Sequence, residues 1–540
     1  MSSSCSLSSQ DVCLHGVSLA FGSLTLLQNT TLKLSHGQKY ALVGRNGIGK
    51  STLLRCIHLN QIPQWTPVRT YFIQQEFTPL HSDDSPLTLV THSDPDYQAL
   101  LKRIQALESS SAMDMDDHLL YQDFYSRFDD SQMNQKAIQI LKNLQFTHEM
   151  MHRPFKDLSG GWRMRTLLAC AVFVQPDLLL MDEPTNHLDL EGIQWLIHYL
   201  KSLKCTLVVV SHDRDFLDSV VDCVIHLTQK QLRYYPGNYT AFVKHRQEKL
   251  NEQSNTEKRR QRARANGGAT KKLLESNSPK LAKMTKKNMI DTAWKWGAEA
   301  LLVGEEGEDE RPFKLQFPDP DFSVSDPLVQ LKDISFAYDE KDHVLWEHVD
   351  LTIQRNSRMA LLGRNGLGKS SLLKCIAGLE QPLTGLIYRH HNLRMAVFTQ
   401  YLIQDLDLSK TPVESLMEKY PESLKIQTAR DYLGSFGIRG DRALMQLGVL
   451  SGGQRTRFVF ALLCYSNPHL LLLDEPTSHL DMEMTEALID ALKEFKGAIV
   501  FISHHCYFVT CLECECFLLE KKRLVKVEWK KYLERMRQEA

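Results

Sequence analysis

Lys50 and Lys369 each close the pattern G-x-x-x-x-G-K-[ST], in "GRNGIGKST" (44–52) and "GRNGLGKSS" (363–371). Such a loop binds phosphates because its glycines let backbone N–H groups wrap an anion while the following helix adds its positive N-terminus. Gly44, Asn46, Gly47, Gly49 and Thr52 complete the first candidate cradle, and Gly363, Asn365, Gly366, Gly368 and Ser371 the second. The two lysines would neutralise β- and γ-phosphates, and Ser51 and Ser370 would hold Mg²⁺. Further on, "LLLMDEPTNHLD" (178–189) and "LLLLDEPTSHLD" (470–481) lead an apolar run into two carboxylates. Asp182 and Asp474 stand where an outer ligand for Mg²⁺ belongs, and Glu183 and Glu475 where a carboxylate can polarise an attacking water. His212 and His504 follow the next apolar run, in "VVVSHD" and "VFISHH", within reach of a γ-phosphate. Gln75 and Gln400 end "TYFIQQ" and "RMAVFTQ" and could contact both Mg²⁺ and that water. Phe21 and Tyr338 lie about thirty residues before their phosphate loops, and each could stack on an adenine or simply pack in a core. The chemistry these residues describe is Mg²⁺-dependent hydrolysis of ATP.

The elements that must position them form one module used twice. A third repeated feature is "LSGGWRMR" (158–165), matched by "LSGGQRTR" (450–457). Glu183 and Glu475 are 292 residues apart (475 − 183), as are the signature serines Ser159 and Ser451 and the histidines; Lys50 and Lys369 are 319 apart (369 − 50). The modules therefore share a rigid register from signature to histidine. The first carries 27 extra residues (319 − 292) between its phosphate loop and its signature. Helical spacing of Leu100, Ile104 and Leu107, and of Ile138, Leu141 and Leu144, reads as a helical arm inserted at about 82–135. Strand–loop–helix context around both lysines predicts an α/β fold with two P-loop domains, each a mixed sheet core plus a helical part. Their expected limits are 1–239 and 328–540, with a basic, mainly helical linker over 240–327. In that linker basic residues outnumber acidic ones, which favours a polyanion contact over a plain solvated spacer.

Composition narrows the field. A formal net charge of −1 gives no global field toward nucleic acid, so basic surface must be local. "MSSSCSLSSQ" has no apolar core and no basic lead, unlike a signal peptide, and no window approaches the length of a membrane span. Twelve scattered cysteines read as reduced cytosolic thiols. In "HHCYFVTCLECEC", zinc would need four converging ligands; the plainer expectation is a buried strand, "CLECECFLL", with Cys514 and Cys516 on one face.

Phosphate loop, LSGGQ, DE carboxylates and switch histidine together resemble the nucleotide-binding domains of the ABC ATPase superfamily. The resemblance implies head-to-tail pairing, with ATP held between one module's phosphate loop and the other's signature. One site would then join Lys50, Ser51, Gln75, Asp182, Glu183 and His212 to Ser451, Gly452 and Gly453. The other would join Lys369, Ser370, Gln400, Asp474, Glu475 and His504 to Ser159, Gly160 and Gly161. "LSGGWRMR", "DEPTNHLD", "YYPGNYTAF" before a basic segment, and the arm resemble the ABC-F subfamily more finely. That group implies a cytoplasmic monomer with internal domain pairing, no transmembrane subunit, and ribosome binding through a linker that approaches tRNA. "FGIRGDRALMQLGVLSGGQ" is similar to the eukaryotic general-control members, whose long N-terminal extension is not expected here because Phe21 lies so near the start. The alternatives are an ATP-binding subunit of a transporter with a separate membrane partner, and an ATP-gated repair or scaffold protein. His505 where the first module has Asp213, and Ser478 where it has Asn186, leave both expected sites complete and allow unequal turnover.

Overall fold

The computed structural model describes residues 11–248 and 315–539, except 22–23, 45, 64, 66–67, 75–82, 96, 100, 102–129, 187, 322–323, 339–343, 400–401, 403–404, 422–424, 451 and 479. The runs "LLLM" (178–181) and "LVVV" (207–210) are apolar at every position because they are covered on both faces, which is the pattern of a central parallel strand. The first module contains β1 (Val12–Phe21), β2 (Leu24–Leu34), β3 (Lys39–Val43), β4 (Thr70–Ile73), β5 (Leu178–Asp182), β6 (Thr206–Val210), β7 (Cys223–Thr228) and β8 (Gln231–Pro236). Six of these form one sheet in the order β4-β5-β6-β3-β7-β8, parallel except for the β7–β8 hairpin, while β1 and β2 pair antiparallel beside it. All five positions of β5 and of β6 are buried.

The second module repeats the plan with β9 (Val329–Phe336), β10 (Trp346–Ile353), β11 (Arg358–Leu362), β12 (Thr384–Arg389), β13 (Met395–Phe398), β14 (Leu470–Asp474), β15 (Ala498–Ile502), β16 (Glu515–Glu520) and β17 (Arg523–Val527). Its main sheet runs β13-β14-β15-β11-β16-β17, strand for strand the order of the first. The 292-residue spacing read from the motifs holds for the strands as well: β5, β6 and β7 begin 292 residues before β14, β15 and β16. Each sheet packs a phosphate-loop helix, Lys50–His58 or Lys369–Ala377, over an apolar cluster centred on Leu53, Leu54, Leu180 and Val208 in one module and Leu372, Leu373, Leu472 and Val500 in the other. Parallel strands deliver their loops to one edge of the sheet, which is where the motifs meet.

Three boundaries differ from the sequence expectation. Leu89 and Val90 belong to the core of the helical part, with Ala137, Leu141, Phe155, Leu158 and Phe173, and Met133 packs against it, so both ends of the 82–135 segment join that subdomain. Residues 102–129, with Ile104 and Leu107, lie outside the described residues, as does Leu100. Residues 315–327, expected to be linker, pack on the second module: Leu315 and Val324 are buried, Phe317 meets Phe460 and Phe495, and Asp321 holds Arg394 and His469. An apolar residue every few positions, not charge, decides where that chain docks. Finally, Cys506–Cys511 is a helix and the strand begins only at Glu515. Cys514 and Cys516 are free thiols, and among the described residues no cluster of His, Cys, Asp and Glu could hold a metal ion by itself. Among those residues, too, no helix is long and apolar enough to cross a membrane.

Candidate functional site

Each phosphate loop leaves a central strand and turns into a helix through a glycine that only a residue without Cβ adopts easily. Gly49 and Gly368 cap their helices at φ 101° and 88° with no side-chain hydrogen bond. The first-turn N–H groups are therefore not taken up by a capping side chain, which is the condition for anion binding at a helix N-terminus. Lys50 donates Nζ to the Gly44 carbonyl at 2.7 Å and to Asn46 Oδ1 at 3.2 Å; Lys369 does the same to the carbonyls of Gly363 at 2.6 Å and Arg364 at 2.9 Å. Burial pushes both ammonium groups below their ordinary range, against the pull of Glu183, Asp481 and Asp182 on Lys50 and of Glu475, Asp189 and Asp474 on Lys369. A desolvated ammonium inside a loop of carbonyls is poised to exchange those contacts for phosphate oxygens.

The DE carboxylates end β5 and β14, opposite Val210 and Ile502. Ser51 is hydrogen-bonded to Asp182 and Ser370 to Asp474, and Asp182 Oδ1 is buried without a partner. A hard divalent cation would suit this oxygen set, and Ser51 with Asp182, or Ser370 with Asp474, are the residues that would hold it. Glu183 and Glu475 then leave the strand in the left-handed region, at φ 48° and 49°. Their N–H groups donate to the Val210 and Ile502 carbonyls at 2.9 and 3.0 Å, which fixes the turn. Non-glycine residues held there are strained, a feature that clusters at functional sites. Oε1 of each glutamate is buried with no hydrogen-bond partner. Burial, resisted by Lys50, pushes the Glu183 carboxyl up to about 8. Burial with Asp474 alongside does the same to Glu475, also to about 8.

His212 Nε2 lies 3.0 Å from Asn46 Oδ1 and 3.4 Å from Glu183 Oε1. His504 repeats this at 2.9 Å from Asn365 Oδ1 and 3.5 Å from Glu475 Oε1. Burial, reinforced by the neighbouring lysine, depresses both imidazoles to about 3. They are neutral, and an asparagine acceptor at Nε2 places the single ring proton there.

One cavity of about 620 Å³ gathers these groups from both modules: Asn46, Lys50, Ser51, Asp182, Glu183 and His212 with Tyr338, Asn365, Gly366, Gly368, Lys369, Ser370, Ser371, Asp474, Glu475 and His504. Tyr338 presents a ring 64 % exposed and anchors its hydroxyl 2.7 Å from Ser371 Oγ, so it packs as no core residue would. The signature glycines do not line the cavity; a side chain added at Gly161, Gly452 or Gly453 would meet nothing within 4 Å. Gln75, Gln400, Ser451 and the Phe21 side chain lie outside the described residues.

Several cross-module contacts are visible only in three dimensions. Arg364, in the second phosphate loop, grips Glu191 of the first module with Nε at 2.9 Å and Nη2 at 2.8 Å. The Asn365 N–H donates to Asp189 at 3.4 Å, while the other oxygen of Asp189 caps helix Leu190–Ser202 through the Gly192 N–H at 2.9 Å. Arg214 pairs with Glu486 and lies over the Tyr507 ring at 4.7 Å, and the C-terminal helix Trp529–Glu539 packs on helix Leu190–Ser202. Asp189 and Asp481 sit at equal places in "DEPTNHLD" and "DEPTSHLD", and that repetition is the sequence signal for a role the motif's phosphate and Mg²⁺ chemistry does not reveal.

A doubled P-loop sheet with DE carboxylates and a switch histidine in each half defines a twin-domain ABC ATPase. The family described as ABC transporter matches residues 27–186 and 346–478, and a second model so described matches 225–287. The chain is 36% identical over 533 residues to ABC transporter F family member 2 of Dictyostelium discoideum, covering 96% of this chain and 87% of that protein. It is 35% identical to ATP-binding cassette sub-family F member 2 of Mus musculus (96% and 81% covered) and 34% identical to sub-family F member 3 of Homo sapiens (96% and 73%). The chain belongs to the ABC-F subfamily of ABC ATPases. Among solved structures, the fold matches an archaeal ribosome recycling factor in complex with a ribosomal stalk protein, at TM-score 0.59 and 16% identity over 96% of this chain and 92% of that one. It also matches RNase-L Inhibitor at TM-score 0.58 and 16% identity, with 97% and 93% covered.

Proposed function

We propose that this chain is a cytoplasmic ABC-F ATPase that binds and hydrolyses ATP at two head-to-tail composite sites and uses that cycle to gate ribosome binding in translation or ribosome biogenesis. The observation that carries the reading is the single cavity shared by both phosphate loops and both DE pairs, with Asp189 of one module on the phosphate loop of the other. Lys50 and Lys369 bind the β- and γ-phosphates, and Tyr338 offers its exposed face to an adenine. Ser51 with Asp182, and Ser370 with Asp474, would hold Mg²⁺, with Gln75 and Gln400 as further ligands; bound there, the ion would neutralise phosphate charge. Glu183 and Glu475 take the proton of the attacking water once cationic charge in the site favours their ionised form. Neutral His212 and His504 hold an Nε2–H toward the γ-phosphate and the glutamate together. Ser159–Gly161 and Ser451–Gly453 close onto the nucleotide held by the opposite module, so ATP draws the halves together and hydrolysis releases them.

The ribosomal reading rests on the subfamily and on the basic run that contains Lys258, Arg259, Arg260 and Arg262, which lies outside the described residues. The archaeal recycling factor shares the fold alone. A chain carrying Glu183→Gln and Glu475→Gln should co-sediment with ribosomes when ATP is present and lose them without it. Co-purification with an integral membrane protein and no ribosome enrichment would overturn the reading in favour of a transporter subunit.

A further inference from the structure

Trp162, which follows the first signature, is built into a stack whose aromatic residues the second module's sequence does not repeat. The Arg165 guanidinium lies between two indoles, 4.7 Å from the Trp162 ring and 4.4 Å from Trp195 on helix Leu190–Ser202. Phe146 meets Trp162 edge-on at 4.9 Å, and Trp195 stacks on Tyr199 at 5.3 Å. Arg165 is held from the side by Gln145 Oε1 at 2.9 Å and the Leu144 carbonyl at 3.3 Å. At the 292-residue register, Gln454, Ala487, Ile438 and Ala491 replace Trp162, Trp195, Phe146 and Tyr199, although Arg457 matches Arg165.

The two ends of this stack bear on one place. Trp162 is in the first turn of the signature helix Gly160–Val174. Trp195 is on the helix whose cap, Asp189, and first-turn residue, Glu191, hold Asn365 and Arg364 beside Lys369. On the head-to-tail reading, Ser159–Gly161 closes on the nucleotide that Lys369 holds. We propose that Trp162, Arg165 and Trp195 form a positioning link that makes the signature and the Asp189 loop of the first module move as one body onto the nucleotide at Lys369. In the module that serves the site at Lys50, Gln454 and Ala487 stand at the positions of the two indoles, so this guanidinium–indole link is not repeated there and the two sites close with unequal strength. The inference rests on the head-to-tail reading.

The test is site-resolved photolabelling of the full chain with 8-azido-ATP and vanadate, followed by proteolysis between the modules to separate the halves. In Trp162→Gln, labelling of the second half should fall about tenfold, within what cation–π contacts on one guanidinium supply, while the first half stays unchanged. Arg165→Gln should reproduce this, and Trp162→Phe, which keeps a ring over the guanidinium, should restore most of it. Equal loss in both halves, or no loss in a variant whose melting temperature is kept, overturns the link. Selective loss in the first half overturns the head-to-tail reading beneath it, because the signature would then serve its own module's nucleotide.

Discussion

His505 Nε2 lies 3.3 Å from the main-chain carbonyl of His212, so the residue after one module's switch histidine touches the switch histidine of the other. In the first module the same place holds Asp213, whose carboxylate caps helix Arg214–Val220 by accepting from the Phe216 N–H at 3.1 Å. His505 makes no such cap. The second module thus gives up a local stabilisation of roughly 1 kcal/mol and gains a contact across the interface. His505→Asp should raise the melting temperature slightly, by restoring the cap, and lower ATP turnover severalfold, by placing a carboxylate beside the His212 carbonyl. Unchanged turnover in a calorimetrically stabler variant would assign His505 no part in the interface.

Arg364 and Glu191 form a two-bonded pair between modules, with side chains 69% and 36% exposed. At such exposure the pair stabilises the fold by at most about 1 kcal/mol. Its effect should appear in ATP-dependent pairing instead. Arg364→Glu should raise KM for ATP severalfold with little change in melting temperature, and adding Glu191→Arg should recover most of the loss. Failure of the swap to recover KM would show that Arg364 acts on phosphate and not on Glu191.

The buried glutamates and histidines set opposite pH dependences of stability. Glu183 and Glu475 rise from 4.5 to about 8 on folding, so the folded state keeps protons that the unfolded state has lost between those values. Their contribution is full below about 4.5 and is lost as pH rises toward 8, by about 1.4 kcal/mol per unit and group at most. His212 and His504 fall from 6.5 to about 3, so below 6.5 the unfolded state takes up protons that the folded state refuses, and stability falls with acid. Between 4.5 and 6.5 the pairs offset one another. Melting curves should therefore show a fall from pH 6.5 to 8 that Glu183→Gln with Glu475→Gln removes. A fall of equal size in the double variant would place its origin elsewhere.

Motifs and register were legible in sequence because they depend on spacing along one chain. Apolar runs ending in carboxylates became β5 and β14, and a 292-residue offset carried over to the strands. The docking of residues 315–327 is not legible in charge, because Leu315 and Val324 are buried and Phe317 meets Phe460 far away in sequence. The contacts of Asp189, Arg364 and His505 depend on how two modules face each other, which no periodicity encodes. Trp162 is legible in "LSGGWRMR" as the residue that differs from Gln454, yet its partner Trp195 lies 33 residues on (195 − 162), on a different helix.

Binding of the basic segment to RNA phosphates would release counterions, so its affinity must fall with salt. For single-stranded RNA each phosphate contact contributes about 0.7 to the log–log slope, and about 0.9 on a duplex. Neutralising Lys258, Arg259, Arg260 and Arg262 together should flatten the salt dependence of ribosome binding by about three units if all four contacts form, with ATP hydrolysis off the ribosome unchanged, since none belongs to the phosphate-loop, signature, DE or histidine motifs. Co-sedimentation across a salt series measures it. An unchanged slope would make the segment a spacer, and ribosome recognition would then have to come from elsewhere in the chain.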